Sequence, residues 1–336
     1  MSVEQNQENK QKYDIIGVGS PIVDALAQVG EDFLSKHLTG AKGGMELVSG
    51  EEIARLAAEA GTSLVESPGG SAGNTIFGLA RLGISSTFLG KIGNDQTGHL
   101  FTESFRKMGG DTSRLKKSEE PTGRCVSLVT PDSERTMRTH LGAALTLSPE
   151  EISEEDFQGC RHAHIEGYLL FNRDLLRHVL GCAKRAGCTV SLDLASFEVV
   201  QAAEDILPEI LKEYVDIVFA NEEEAEAFLG KGKSYPDMAR ELHEYCEIGV
   251  VKMGKAGSVV ASREGVVEIE PLLVEDVVDT TGAGDLWAAG FLYGWLRSQN
   301  LAACGGNGSR LGAEVVRRMG TIIPPERWVE LSRELA

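Results

Sequence analysis

Short apolar, β-branched runs alternate with amphipathic stretches along most of this chain. Residues 13–19, 87–92, 164–165 with their flanks, 189–194, 216–220 and 249–253 read as strands. Helical periodicity fills the gaps at about 73–82, 96–108, 174–186 and 222–229. This alternation predicts an α/β fold: a doubly wound, mostly parallel sheet with helices on both faces. The run Ile217-Val218-Phe219 is apolar without alternation, as a strand covered on both faces should be. Residues 122–140 break the rule, because two strand-like runs flank Pro131-Asp132-Ser133 with no helix between them. Residues 22–30 and 44–48 are also strand-like. Together they predict a small antiparallel sheet, a lid inserted discontinuously from about 22–50 and 120–141 into an α/β domain spanning 13–336. Residues 1–12 are polar and read as a disordered, solvated tail.

Composition narrows the function classes. The 336 residues carry 33 Lys+Arg against 51 Asp+Glu, a formal net charge of −18. A chain this acidic is a poor partner for nucleic acid or an anionic membrane. It can still hold a local anion on backbone N–H groups. No apolar run has the length of a membrane helix. The 6 cysteines include no C-x-x-C pair, which excludes zinc-ribbon and thioredoxin-type readings. They read as reduced, mostly buried residues. The polar start has no secretory apolar region, so a cytoplasmic location is expected. The 7 histidines show no ligand spacing, and His162 and His164 read as core or edge residues.

The densest candidate chemistry lies at 278–296. Val278-Asp279-Thr280-Thr281-Gly282-Ala283-Gly284-Asp285 is a Gly-rich turn feeding an apolar helix. The free N–H groups of that helix start form an anion hole, and Asp285 sits in its first turn. A carboxylate beside an anion hole suits proton removal from a hydroxyl during phosphoryl transfer. Alone, a Gly-x-Gly-Asp reads equally as a helix cap. A dinucleotide-binding reading fails because Trp287 stands where a small residue must pack. No Walker A sequence is present in the chain.

This stretch resembles the C-terminal motif of the ribokinase-like (PfkB) carbohydrate and nucleoside kinases. Gly69-Gly70-Ser71-Ala72-Gly73-Asn74, then Gly90-Lys91-Ile92-Gly93-Asn94-Asp95, is similar to that family's N-terminal motif. Gly17 to Asp24 resembles its first strand and substrate-binding Asp, and Asn221-Glu222-Glu223-Glu224 its N-x-x-E element. The resemblance implies an ATP-dependent phosphotransferase with Asp285 as general base and the amides of Gly282, Ala283 and Gly284 as anion hole. It implies Asp24, Asn74 and the backbone at Gly69 and Gly70 as hydroxyl-binding groups; turn and cap roles are the plainer alternatives. Asn221 and Glu224 are implied as organisers of Mg²⁺ through water, against a solvated helix start. A monovalent cation such as K⁺ is a further expectation. Lys252, Gly254 and Gly257 resemble the loop near the nucleotide, with Thr281, Asn307 and Arg135 as further nucleotide-side candidates. A hairpin turn, a loop cap and a solvated arginine are the alternatives for the loop, Asn307 and Arg135.

The acceptor reading leans toward the adenosine-kinase branch, hence adenosine to AMP, on Ser20-Pro21-Ile22-Val23-Asp24, the 279–285 motif and the 121–144 region. Ser20 replaces an expected Asn. Tyr168-Leu169 follows Gly167 where a Phe pair is expected, leaving base contacts to Tyr168, Leu169 and Met45. A ribose or fructose kinase of the same family is the alternative. A non-catalytic nucleoside- or sugar-binding regulator is the alternative of another class. Homodimerisation through lid strands is a further expectation.

Overall fold

The computed structural model describes residues 12–38, 42–61, 64–132 and 134–336. The expected tail therefore lies outside the described residues except for Lys12, whose backbone N–H donates to the Gly159 carbonyl at 2.9 Å. In chain order the strands are β1 (Tyr13–Val18), β2 (Ile22–Gln28), β3 (Met45–Leu47), β4 (Val65–Gly69), β5 (Ser86–Leu89), β6 (Lys91–Gly93), β7 (Lys116–Ser118) and β8 (Thr122–Val129). They continue as β9 (Arg135–Gly142), β10 (Cys160–Glu166), β11 (Thr189–Asp193), β12 (Ile217–Asn221), β13 (Ile248–Lys252), β14 (Ser258–Ser262) and β15 (Gly265–Ile269).

An eight-stranded sheet of order β15-β14-β13-β12-β11-β10-β1-β5 forms the body. Its strands run parallel from β13 to β5, and β14 and β15 close one edge antiparallel. Apolar helices cover both faces. Leu176, Val179 and Leu180 of the helix Arg173–Arg185 pack with Val190 and Val218 on one side. Ile76, Leu286, Trp287 and Phe291 pack with Phe219 and Val250 on the other. Burying each of these large side chains stabilises the fold by about 1.5–3 kcal/mol.

The expected strand at 87–92 is two strands. Gly90 lies so close to the Gly19 carbonyl that a Cβ there would stand 2.5 Å from it, and the chain leaves the large sheet at this point to pair β6 with β7. The segments set apart in the sequence do form a second sheet, of order β3-β9-β8-β2-β4. It is mixed rather than antiparallel: β8 lies beside β2, and β9 beside β3, in parallel. It also recruits β4, beyond the expected limit near residue 50. One face packs Ala25, Ala27, Val126 and Leu128 against Leu34, Ile53, Leu56 and Ala57 of the helices Glu31–His37 and Gly50–Ala60. Its other face lines the cleft described next. The cysteines are all free, and all but Cys246 are buried. His162 and His164 are fully buried and both hydrogen-bond Ser191 Oγ at 2.8 Å.

Candidate active site

Parallel strands present their carboxyl ends along one edge, where α/β sheets bind ligands. Here that edge carries Ser20 just after β1, Glu166 closing β10, Asp193 closing β11, Asn221 closing β12 and Lys252 closing β13. All five line a single cleft of about 1720 Å³. Register fixes neighbours across it: Glu166 pairs with Asp193, and Asn221 with Lys252.

Asp285 stands at the centre, in the first turn of the helix Ala283–Leu296. Ser71 Oγ donates to its Oδ1 at 3.0 Å and Asn74 Nδ2 to its Oδ2 at 2.9 Å. The Thr75 hydroxyl holds its backbone carbonyl at 3.0 Å. Burial, then the negative charge of Asp193, pushes its carboxyl up to about 6 against the pull of the Asn74 and Ser71 donors. Gly282, the residue capping this helix, is left-handed at φ 70°. A Cβ there would stand 2.4 Å from Thr321 Cγ2, so the turn accepts only glycine. The Ala283 amide donates to the Thr280 carbonyl at 3.2 Å and the Leu286 amide to the Gly282 carbonyl at 2.8 Å, while the amides of Gly284 and Asp285 precede the first intrahelical bond.

Asp24, on β2, faces Asp285 from the second sheet. Burial first, then the charge of Asp285, pushes its carboxyl up to about 7. No hydrogen bond among the described residues engages that carboxylate. The neighbouring strand makes room for it, since a Cβ on Gly69 would lie 2.1 Å from Asp24 Oδ2. At Gly70, φ is 87° and a Cβ would press the Ser20 carbonyl at 2.4 Å. These two glycines therefore set the floor between Asp24 and Asn74. Gly69 itself lies beneath Asp24 and does not line the cleft, whereas Gly70 does.

At the ends of β11 and β13, Lys252 Nζ donates to Asp193 Oδ2 at 2.7 Å, and the two side chains are only 11% and 7% exposed. Burial works to lower the Lys252 pKa, but Asp193 and Glu224 outweigh it and hold it raised. Asn221 and Glu224 form a reciprocal cap on the helix Glu222–Leu229. Asn221 N–H and Nδ2 donate to the two Glu224 carboxylate oxygens at 2.8 and 2.7 Å, and the Glu224 amide returns to Asn221 Oδ1 at 2.8 Å. Burial, then Asp193, pushes Glu224 up to about 7. Arg135, from β9, hydrogen-bonds Thr281 Oγ1 and lies 3.5 Å from Asp279 Oδ1. Asp279 is already engaged by Thr281 and, at 2.8 Å, by the Gly320 amide. Gly254, Gly257, Met45 and Tyr168 all line the same cleft.

Asn307 is not brought there. It lies on the helix Leu301–Val315, where Ser309, Gly312 and Ala313 line the cleft. Two positions before Ser309 is about 200° around a helix. Its amide instead donates to Gln299 Oε1 at 2.8 Å, against Gly294. Ser71, Asp193 and Glu166 are cleft residues that the sequence does not single out. Glu166 is 1% exposed, accepts from the Ser20 amide at 2.8 Å and fills the space beside Gly19. A carboxylate closing an apolar strand, as in Leu192-Asp193-Leu194, is the signal that marks two of them, since buried acids are rare without a task.

Comparison with known proteins agrees with this geometry. The chain belongs to the pfkB carbohydrate kinase family, whose model matches residues 46–328. It is a sugar or nucleoside kinase of that ATP-dependent class. Over 240 residues it is 30% identical to 5-dehydro-2-deoxygluconokinase of Geobacillus kaustophilus, covering 67% of this chain and 72% of that one. Adenosine kinase of Saccharomyces cerevisiae is 26% identical over 340 residues, 93% of this chain and 97% of its own. The crystal structure of adenosine kinase from Sinorhizobium meliloti superposes with a TM-score of 0.86 at 33% identity, covering 97% of this chain and 100% of that one. No helix among the described residues is long and apolar enough to cross a membrane.

Proposed function

We propose that this kinase phosphorylates adenosine, moving the ATP γ-phosphoryl group to the ribosyl hydroxymethyl and yielding AMP. The observation that carries this reading is the apolar lining of the cleft that also holds Asp24. Met45, Leu145, Tyr168 and Phe171 line the cleft while remaining 42%, 67%, 36% and 62% exposed. That much uncovered apolar surface in the same cleft as a hydroxyl-binding carboxylate suits a flat base attached to a sugar; a bare sugar leaves it wet. The volume of about 1720 Å³ exceeds the ~300–1,000 Å³ of a single small-molecule site, in keeping with two ligands side by side. The length of the match to adenosine kinases supports the same reading. A sugar kinase is the second reading, favoured by the 30% identity to 5-dehydro-2-deoxygluconokinase.

In this mechanism Asp24 accepts hydrogen bonds from the ribose diol, since an ionised carboxylate only accepts. The Gly70 backbone and Asn74 complete the acceptor seat. Asn74 and Ser71 aim Asp285 at the hydroxymethyl group. The hydroxyl oxygen bonds to phosphorus as its proton passes to Asp285 and the bond from phosphorus to the β–γ bridging oxygen breaks. Gly282, Ala283 and Gly284 steady the phosphoryl oxygens. Lys252, Gly254, Gly257 and Thr281 flank the nucleotide, and Arg135 reaches the phosphates from the second sheet, which acts as the lid. Among the described residues no three His, Cys, Asp or Glu side chains cluster to cage a metal. Mg²⁺ fits here only as a hydrated ion, with Asn221 and Glu224 holding its water; each Glu224 oxygen has a lone pair left beyond its cap bond. Bound to ATP, the ion supplies charge neutralisation at the phosphates.

Two outcomes are expected. With ATP and Mg²⁺, adenosine is phosphorylated in preference to ribose, fructose and 5-dehydro-2-deoxygluconate; a sugar leading that panel overturns the acceptor, and no product from any acceptor overturns catalysis in favour of a binding role. The pH profile for the acceptor follows from the raised carboxylates of Asp24 and Asp285, both of which must be ionised to work. The kcat/KM for acceptor should be flat above about 7, where Asp24 ionises, and fall more steeply below about 6, where Asp285 does. An acid limb beginning near pH 4 removes both residues from these roles.

A further inference from the structure

The Lys252 ammonium occupies an unusual place. A cation is disfavoured at a helix N-terminus, where the backbone dipole is positive. Yet a Cβ on Gly284, in the first turn of the helix Ala283–Leu296, would stand only 3.2 Å from Lys252 Nζ. The absence of a side chain at Gly284 is what lets the ammonium approach. Asp193 holds it there. Asp193 Oδ2 takes the ion pair at 2.7 Å, while Asp193 Oδ1 accepts from the Ala195 amide at 3.1 Å. Ala195 is in the left-handed region at φ 67°, one of two non-glycine residues there among those described. The Ser196 amide donates back to the Leu194 carbonyl at 2.8 Å, closing a tight three-residue turn around it. Such turns are strained for a residue with a Cβ and persist where surrounding structure enforces them. The Phe219 ring lies beneath Nζ at 6.0 Å. A fixed cation and a row of helix amides thus converge on one point, with Asp285 beside it.

We propose that Lys252 is a catalytic residue, the cationic arm of the phosphoryl cradle, and that Asp193 is its positioning residue. This rests on the kinase reading above. In this structure the ammonium is paired with Asp193. In the ternary complex it donates to an oxygen of the transferring phosphoryl group. Negative charge builds on those oxygens while the acceptor oxygen bonds to phosphorus and the bridging-oxygen bond breaks. Lys252 gives up no proton; the acceptor's proton goes to Asp285. The contact strengthens in the transition state, so it acts on turnover more than on substrate affinity.

The test compares Lys252→Gln, Asp193→Asn, the double variant and Asp285→Asn, with kcat, both KM values and thermal unfolding measured for each. Lys252→Gln should lower kcat roughly 100-fold, the usual effect of deleting one such donor, with acceptor KM nearly unchanged. Asp193→Asn should lower kcat by roughly tenfold, as misplacement of an intact group does. The double variant pairs two amides and should recover the midpoint of unfolding without recovering turnover. Recovery of wild-type turnover in the double variant would reduce the pair to a structural bridge and overturn the proposal. So would a Lys252→Gln protein with intact kcat and a raised KM for ATP. If Asp285→Asn is inactive while Lys252→Gln is not, the kinase reading stands and this inference falls. If wild-type protein transfers phosphate to nothing, both fall.

Discussion

Replacing Asp285 with Asn is expected to lower turnover by ~100-fold or more, the range for losing a positioned general base. The substitution keeps the shape and the oxygen that accepts from Asn74, and Ser71 can turn its hydroxyl to accept from the new amide. Ligand affinities should therefore change little. Stability should move the other way. The folded carboxyl is raised to about 6 from 3.8, so this group's contribution is fully present below its unfolded value and is lost as pH rises through about 6. The variant carries no charge there. Relative to the native protein it should be unchanged near pH 4 and more stable at pH 8, by on the order of 1–3 kcal/mol. Denaturant midpoints at the two pH values check the sign, and single-turnover assays check the rate. A variant that is slow because it is less stable at pH 8 contradicts both halves.

Replacing Asp24 with Ala is expected to raise the acceptor KM by more than ~100-fold, from loss of two hydrogen bonds to a charged group at about 1.5–3 kcal/mol each. The KM for ATP should hold, because the nucleotide-side residues Lys252, Gly254, Gly257 and Thr281 lie outside the second sheet that carries Asp24. Its own carboxyl is raised to about 7, so removing it leaves no unpaired partner behind and the fold should not suffer. Titration calorimetry with adenosine, and separately with ATP, distinguishes the two effects; equal losses for both ligands remove Asp24 from the acceptor seat.

Much of this arrangement was legible in the sequence because it depends on local chemistry. The turn at 282–284 needs glycine at a left-handed position, and an apolar helix follows it, so the glycine-built helix start announces itself within a dozen residues. Gly69-Gly70 marks a close approach for the same reason, and the structure supplies what approaches: the Asp24 carboxylate and the Ser20 carbonyl. What stayed hidden depends on long-range pairing. Asp193 and Glu166 look like the ends of ordinary strands until parallel register sets them side by side across the cleft. Asn307 falls outside the cleft because helical phase, not proximity in sequence, decides which face looks inward. The second sheet's mixed pairing was equally unreadable. The hairpin β8–β9 sits between segments far away in sequence, and strand direction across such a join is set by the body of the fold.

The second sheet's two faces have separate duties, and this bears on how kinases of one fold diverge. Ala25, Ala27, Val126 and Leu128 hold its helices, while Asp24, Met45, Met137 and Leu141 point into the cleft from alternate positions. A mutation on the inward face can reshape the acceptor seat without opening a void beneath the sheet. Selection can therefore retune the preferred alcohol through single, individually tolerable steps, leaving Asp285, Asp193 and Lys252 in the body of the fold untouched.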